Sequence, residues 1–254
     1  MTAILEARGI CKSFGHVEVL RDVDFEAEAG QVTALIGDNG AGKSTLIKIL
    51  SGALSLDRGT ISLEGQPISL SSPTHARDVG IETVYQDLAL APELGPAENT
   101  FAGRELLRPG LLGRLGVLDK KAMRQQAGEA FRSMGTDVKD LDAAVGALSG
   151  GQKQSVAICR SVMWAKKVIF MDEPTAALGV RQTGKVLELV RRVADEGVAV
   201  VLISHNMPEV LEVADRIEVL RLGERVAQFK RGDVTMENIV GAMTGALRGP
   251  GREA

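Results

Sequence analysis

The stretch GDNGAGKST, residues 37–45, decides the fold. It follows a short apolar run, Val32–Ile36, and precedes a helical pattern that ends near Gly52. Glycines at this spacing let a strand-to-helix turn wrap closely enough for backbone N–H groups to point at phosphate oxygens. The helix N-terminus adds a positive dipole end. The stretch therefore predicts a phosphate cradle, and the alternative, a glycine-rich turn that binds nothing, needs neither the lysine nor the serine.

The side chains of this stretch have distinct predicted roles. Lys43 can reach the β- and γ-phosphates of a nucleotide, Ser44 offers a hydroxyl ligand to Mg²⁺, and Thr45 can hydrogen-bond a phosphate oxygen. The loop positions predicted to wrap the phosphates are Gly37, Asn39, Gly40, Ala41 and Gly42.

The rest of the chain alternates short apolar runs with helical patterns. Residues 168–171 and 199–203 are predicted buried strands, with helical segments at 149–165 and 180–196. Alternation at Val23, Phe25 and Ala27 indicates an antiparallel strand at a sheet edge. The predicted fold class is α/β, with a mainly parallel sheet, an antiparallel β edge and an inserted helical lobe.

The domain organisation is predicted from where these patterns change. Strand signals stop near residue 87, and glycines and prolines then separate helical stretches such as 119–134. We expect a single domain whose α/β core spans 1–86 and 159–244, with a helical lobe at 87–158. The segment 245–254 lacks apolar periodicity and is predicted to be a flexible tail.

Two acidic residues follow a predicted buried strand. The apolar run 168–171 leads directly into Asp172 and Glu173, at the strand end where parallel sheets bind ligands. Asp172 is suited to hold the Mg²⁺ shell, and Glu173 to polarise an attacking water as general base. The alternative, a pair of solvated turn acids, is disfavoured by the phosphate cradle in the same chain.

Two further polar residues stand at similar strand exits. His205 follows the run 199–203 and is a candidate for contact with the γ-phosphate. Gln86 follows the run 81–85, and its amide is a candidate ligand for Mg²⁺ or for the attacking water. Taken alone, either residue is more often structural than catalytic.

Composition excludes several other classes of protein. The chain has 254 residues, 44% of them hydrophobic, and its 30 basic residues do not outnumber its 33 acidic ones. Nucleic acid is therefore excluded as the main partner. Cys11 and Cys159 have no metal-ligand or disulfide-framework spacing. The longest aliphatic run, 198–203, is too short to cross a bilayer, so a soluble protein is expected.

The stretch LSGGQ, residues 148–152, indicates the family. It resembles the signature motif of ATP-binding-cassette proteins, and it occurs with the other motifs in the family's order over nearly the whole chain. The resemblance implies ATP and Mg²⁺ as ligands, hydrolysis of ATP, and a homodimer. In that dimer, Ser149, Gly151 and Gln152 of one subunit face the γ-phosphate held by the other. A plain serine N-cap is compatible with this role.

The resemblance also bears on Phe14 and Gly179. It assigns Phe14 to stacking on adenine, although a core role for this ring is nearly as probable from the sequence alone. At Gly179 the chain departs from the family, which usually has an aspartate in the short loop that crosses the dimer interface. The contact that this aspartate makes is therefore in doubt.

Several segments resemble the ATPases of bacterial monosaccharide importers, the ribose, xylose and fructose group. They are residues 86–94, 97–99, 103–105, 204–207 and 239–245. This resemblance implies a homodimer bound to transmembrane permease subunits at the cytoplasmic face of the cell membrane, supplied by an extracytoplasmic sugar-binding protein. The alternatives are a soluble cassette ATPase that does not transport and a nucleotide-sensing module without turnover.

Overall fold

The structure is a computed structural model, and it describes residues 3–246 except 86, 137, 139 and 177. Its strands are β1 (Ala3–Phe14), β2 (Val17–Glu28), β3 (Val32–Ile36), β4 (Arg58–Leu63), β5 (Gln66–Pro67), β6 (Ile81–Val84), β7 (Val168–Asp172), β8 (Ala199–Ile203), β9 (Arg216–Arg221) and β10 (Glu224–Lys230). Its helices are α1 (Lys43–Leu50), α2 (Pro73–Asp78), α3 (Pro96–Phe101), α4 (Leu111–Arg114), α5 (Lys120–Ser133), α6 (Gly150–Trp164), α7 (Val180–Asp195), α8 (Met207–Val213) and α9 (Met236–Thr244). None of the described helices is both long enough and apolar enough to span a bilayer.

The chain forms two compact units. Unit 1 contains the residues up to Thr83, Ala165–Glu173 and the residues from Val190 onward, and unit 2 contains Val84–Trp164 and Pro174–Leu189. The segment predicted as the helical lobe, 87–158, falls within unit 2. Unit 2 also takes in Pro174–Leu189, which the sequence analysis assigned to the core. Of the predicted tail, residues 247–254 lie outside the described residues.

A six-stranded sheet organises unit 1. Its strand order is β10-β9-β3-β8-β7-β6, and β3 pairs in parallel with both β8 and β9, while β7 pairs in parallel with β8. β10 pairs antiparallel with β9 at one edge. Every residue of β3 and β8 is buried, because β8 is a continuous apolar run, β3 is apolar except for Thr33, and both strands are covered on both faces. The predicted mainly parallel α/β sheet is therefore confirmed.

The antiparallel part of the fold is larger than an edge strand. It is a separate four-stranded sheet with the order β2-β1-β4-β5. The alternation at Val23, Phe25 and Ala27 is confirmed, since these three side chains are buried and β2 is the outer strand of this sheet. They join the core of unit 1 together with Leu35, Leu46 and Phe170.

A network of buried charges ties β9 to β2 within unit 1. The guanidinium of Arg216 donates to Glu26 at 2.8 Å, to Glu28 at 3.4 Å and to Glu218 at 3.0 Å. Glu218 is fully buried and also accepts a hydrogen bond of 2.6 Å from Gln228. Its Oε2 atom has no hydrogen-bond partner within the described residues. Burial raises the pKa of Glu218, although Gln228 and the nearby arginines oppose this shift.

This network predicts a stability that depends on pH. Folding raises the pKa of the Glu218 carboxyl above its ordinary value. As the pH rises through the window between these two pKa values, the carboxyl increasingly destabilises the native state. Below that window it has no effect on stability. We therefore expect Glu218→Gln to be more stable than the parent above the window and equally stable below it. Denaturant unfolding of both proteins across a pH series measures the difference. A variant less stable than the parent at neutral pH would show that the ion pairs outweigh the cost of burial.

Unit 2 packs helices around its own apolar core. Phe101 of α3, Met123 and Phe131 of α5, and Val156 and Cys159 of α6 are all buried in it. The rings of Phe101 and Trp164 meet edge to face, with centroids 5.6 Å apart. Aromatic pairs of this geometry add to the stability gained from burial.

Candidate functional site

The predicted phosphate cradle lies between β3 and α1. Gly42 caps α1 with φ 104° and contributes no side-chain hydrogen bond, so the first N–H groups of the helix are left without a protein cap. Gly37 has φ 152°, and a Cβ there would lie 2.1 Å from the Leu220 carbonyl oxygen. Only glycine fits that position. An uncapped helix N-terminus after a tight glycine turn is suited to hold an anion.

Lys43 is folded back across the cradle. Its Nζ donates to the carbonyl oxygens of Gly37 at 2.6 Å and Asp38 at 3.0 Å. Burial lowers the pKa of Lys43, and the charges of Glu173, Asp38 and Asp172 oppose that shift. The ammonium group is thus held by neutral carbonyls near acidic residues, and phosphate oxygens would be better partners for it.

The acidic pair stands at the carboxyl end of β7, as predicted. Asp172 is the last residue of the strand and lies opposite Ile203 of β8. Glu173 follows, and its N–H donates to the Ile203 carbonyl at 2.9 Å. Its φ of 48° is in the left-handed region. The following Pro174 disfavours the right-handed helical conformation at Glu173, and strained backbone of this kind often occurs at functional sites.

His205 contacts the predicted general base directly. Its Nδ1 lies 2.8 Å from Oε1 of Glu173. An ionised carboxylate only accepts, so Nδ1 carries the proton of this hydrogen bond. This hydrogen bond to Glu173 was not predicted, and the expected contact between His205 and the γ-phosphate stays a prediction. The imidazole is 70% exposed, so it is also open to a ligand.

The residues at this edge fit a magnesium ion. Burial and the charge of Glu173 raise the pKa of Asp172, whose carboxylate has no hydrogen bond within the described residues. A cation would offset both effects, and the exposed Ser44 offers a hydroxyl. No cluster of three or more histidine, cysteine or acidic side chains that could hold a metal occurs in the described part of the chain. Magnesium is commonly held by one or two carboxylates together with phosphate oxygens rather than by a protein cage.

The signature stretch forms the start of α6 in unit 2. Ser149 Oγ accepts from the N–H of Gln152 at 3.3 Å, and the N–H of Ser149 donates to Gln152 Oε1 at 3.0 Å. Ser149 is therefore an N-cap, with Gln152 completing a capping box. The proton of its hydroxyl is not used in this bond and can be donated to a ligand. A Cβ at Gly151 would lie 2.5 Å from the side-chain end of Gln182, so a larger residue here would have to displace that side chain.

Phe14 is not a core residue. It ends β1 with half of its surface exposed, and the ammonium of Lys12 lies 5.8 Å from its ring centroid. The core alternative for Phe14 is therefore wrong, and its ring is open for stacking on a base.

Gln86 lies outside the described residues, but the segment after it is held firmly within unit 2. The buried Asn99 accepts from the N–H of Ala91 at 2.8 Å and donates to three nearby carbonyls. Arg160 of α6 donates to the carbonyls of Leu88 at 2.9 Å and Ala89 at 2.8 Å. Arg160 was not predicted from the sequence, since an arginine in a helix gives no signal that it binds a distant loop.

Gly179 begins α7. Its carbonyl accepts from the N–H groups of Gln182 at 2.9 Å and Thr183 at 3.0 Å, so it occupies the N-cap position. Within the part of the chain that the structure describes, no atom outside its immediate neighbours lies within 4 Å of a Cβ built there. An aspartate therefore fits at this position and could cap the helix.

Comparison with known proteins agrees with this geometry. Residues 20–176 match the family model described as ABC transporter. The chain is 50% identical to the fructose import ATP-binding protein FrcA of Rhizobium meliloti, covering 99% of this chain and 97% of that protein. It is 45% identical to the xylose/arabinose import ATP-binding protein XylG of Sulfolobus acidocaldarius, covering 96% of this chain and 95% of that protein. It is also 43% identical to the ribose import ATP-binding protein RbsA of Burkholderia pseudomallei, covering 95% of this chain but only 46% of that longer protein.

Solved structures show the same fold. An ATP-binding cassette of an ABC transporter in its ADP conformation superposes with a TM-score of 0.79 at 27% identity, covering 96% of each chain. A nucleotide-free cassette gives a TM-score of 0.78 at 28% identity, covering 91% of this chain and 92% of the other. The cradle and the acidic strand end thus belong to a known nucleotide-binding fold. The chain is a member of the ABC transporter family and is one of its ATP-binding subunits.

Proposed function

We propose that this chain hydrolyses ATP at the edge of the unit 1 sheet and uses the reaction to drive import of a monosaccharide. The observation that carries the proposal is the clustering of charges there: the charges of Asp172 and Glu173 both act on the Lys43 ammonium, and His205 holds Glu173. Such an arrangement combines a phosphate-binding cation, a metal-binding carboxylate and an oriented base. The relatives named for fructose, xylose/arabinose and ribose import support the transport role.

The side chains divide the chemistry between them. Lys43 leaves the Gly37 and Asp38 carbonyls to bind the β- and γ-phosphates, where its charge stabilises the transition state. Glu173 accepts the proton of the attacking water, and the hydrogen bond from His205 orients its carboxylate. Ser44, Asp172 and, as predicted from the sequence, Gln86 would hold a magnesium ion, which would supply neutralising charge to the phosphate oxygens. Phe14 stacks on adenine, and the remaining loop residues, 37 and 39–42 with Thr45, wrap the phosphates.

The working form is a homodimer at the cytoplasmic face of the membrane. Its basis is the family pattern, in which the signature motif of one subunit faces the ATP of the other. The N-cap geometry of Ser149 supports this role, because a serine at a helix N-terminus keeps a hydroxyl proton to donate to a phosphate. Gly151 and Gln152 shape that helix end. Permease subunits and an external sugar-binding protein complete the proposed transporter.

We expect the permease to contact the segment from Leu88 to Arg104. Arg160 and Asn99 fasten this segment within unit 2, so a movement that begins at Gln86 is transmitted as a rigid displacement. Crosslinking of the chain in membranes, followed by peptide mapping, tests this contact. Crosslinks found only on residues 223–245 would contradict it.

Failure to purify any permease with an ATP-hydrolysing chain would favour a cassette ATPase that does not transport.

Gly179 predicts weak coupling between the two ATP sites. Without the family's aspartate, we expect ATP hydrolysis with low cooperativity, and Gly179→Asp should raise the Hill coefficient or the rate. The open space that the described residues leave around Gly179 accommodates the aspartate side chain. Coupling energies between sites are typically about 1–3 kcal/mol, enough to change a Hill coefficient measurably. The test measures the rate of ATP hydrolysis against ATP concentration for both proteins assembled with the permease. Strong cooperativity in the parent, unchanged in the variant, would contradict the prediction.

A further inference from the structure

A loop of unit 2 exposes an unusual amount of apolar surface. We call residues 106–118, which lie between α3 and α5 and include the short helix α4, the leucine loop. Leu111 and Leu115 are each 72% exposed. The exposed apolar side chains of the loop are Leu107, Leu111, Leu112, Leu115, Val117 and Leu118. Single exposed leucines are common, but a contiguous apolar group of this kind indicates a binding surface.

The leucine loop is closed by its own backbone hydrogen bonds. The N–H of Arg108 donates to the Val117 carbonyl at 2.9 Å, and the N–H of Val117 donates to the Leu112 carbonyl at 3.0 Å. An isolated bridge joins Leu107 to Leu118. The leucines therefore point outward from an ordered loop. A loop whose backbone groups are paired can enter an apolar medium at lower cost than one whose groups need water.

The charge of the loop is positive. Arg108 and Arg114 are exposed, and residues 106–118 contain no acidic side chain. The acids that flank the loop are already used by the backbone: Glu105 accepts from the N–H of Gly103 at 2.9 Å, and Asp119 accepts from the N–H of Ala122 at 3.0 Å. Both carboxylates keep their negative charge, but across residues 104–121 the chain has five basic side chains against two acidic ones, so the apolar surface is flanked by a net positive charge.

We infer that the leucine loop inserts its apolar side chains into the surface of a bilayer that contains anionic phospholipid. Leucines would enter the boundary between headgroups and acyl chains, while the arginines keep their guanidinium groups at the lipid phosphates. A permease is the less suitable partner for this surface, because cytoplasmic loops of membrane proteins carry an excess of lysine and arginine. The inference goes beyond the proposed function, since it depends neither on the cargo nor on the permease.

Vesicle flotation of the purified chain tests the inference. The parent should bind vesicles of phosphatidylcholine with phosphatidylglycerol about 25-fold more tightly than vesicles of phosphatidylcholine alone, since each arginine near an anionic surface contributes about fivefold. The double variant Arg108→Gln with Arg114→Gln should lose this preference. The double variant Leu111→Ser with Leu115→Ser should lose binding to both. Arg58→Gln and Leu222→Ser, which change exposed residues of unit 1, serve as matched controls and should bind as the parent does.

A fluorescent label locates the contact. Cys11 and Cys159 are buried, and burial raises the pKa of the Cys159 thiol to about 12, so an added surface cysteine reacts selectively. A polarity-sensitive dye on Leu115→Cys should shift to the blue with anionic vesicles, while the same dye on Leu222→Cys should not.

Three results would overturn the inference. The first is a parent chain that does not bind anionic vesicles, and the second is a leucine double variant that binds them as the parent does. The third is a leucine double variant that keeps vesicle binding but no longer captures the permease, which would make the loop a protein contact.

Rates of ATP hydrolysis in solution should be equal in the parent and both double variants. Because hydrolysis and permease capture are measured separately, failure of the lipid inference is distinguishable from failure of the proposed function.

Discussion

Glu173→Gln should slow ATP hydrolysis by about 10²–10⁴-fold, the usual contribution of a positioned general base. Glutamine has nearly the same shape, and its amide oxygen can still accept the hydrogen bond from His205, so the site should stay assembled. It cannot take up the proton of the attacking water. ATP should therefore bind with the affinity of the parent and remain unhydrolysed. Phosphate release and nucleotide binding, measured on the same preparation, separate the two effects.

A matched control keeps this result specific. Glu212→Gln makes the same chemical change at an exposed position of α8 in unit 1 and should hydrolyse ATP at the parental rate. If Glu173→Gln also hydrolyses ATP at the parental rate, Glu173 is not the base, and His205 becomes the better candidate.

Lys43→Ala should weaken ATP binding by about 10-fold to 100-fold, because a hydrogen bond to a charged group contributes about 1.5–3 kcal/mol. Lys43 is the cation that the structure holds across the cradle, where its Nζ binds only neutral carbonyl oxygens. Its removal leaves the phosphates with backbone amides and the helix dipole alone. Titration of the purified variant with a fluorescent ATP analogue measures the loss.

Lys48→Ala is the matched control for this variant. Lys48 lies on the same helix and is exposed. Its charge acts on Asp172, but its ammonium has no hydrogen bond to the cradle loop within the described residues, so its removal should weaken ATP binding much less than removal of Lys43. Equal ATP affinity in Lys43→Ala and the parent would contradict the assignment of residues 37–45 as the phosphate cradle.

Local patterns of the sequence predicted much of the fold and of the site. Residues 37–45 could be interpreted because their glycines, lysine and hydroxyls stand at spacings that phosphate binding requires. The buried strands β3 and β8 were predicted with their correct ends, since continuous apolar runs bounded by turn residues leave little freedom. Asp172 and Glu173 were placed correctly for the same reason, because they directly follow such a run.

The contacts between distant residues could not be predicted. The hydrogen bond between His205 and Glu173 exists because β7 and β8 are neighbours in the sheet, and no local pattern states which strands pair. The bonds from Arg160 to the carbonyls of Leu88 and Ala89 depend equally on tertiary packing. The leucine loop was missed for another reason: apolar side chains are expected inside a protein, so their sequence gave no sign that they face outward.

Sugar uptake by reconstituted vesicles tests the central claim most directly. Vesicles that contain the permease, with this chain and ATP inside and the binding protein outside, are given labelled fructose, ribose or xylose in turn. We predict uptake of at least one of these sugars with the parent chain, and uptake at background level with Glu173→Gln still bound to the permease. Equal uptake with the parent and the variant, or uptake in vesicles that lack this chain, would contradict the conclusion that ATP hydrolysis at Glu173 drives the import.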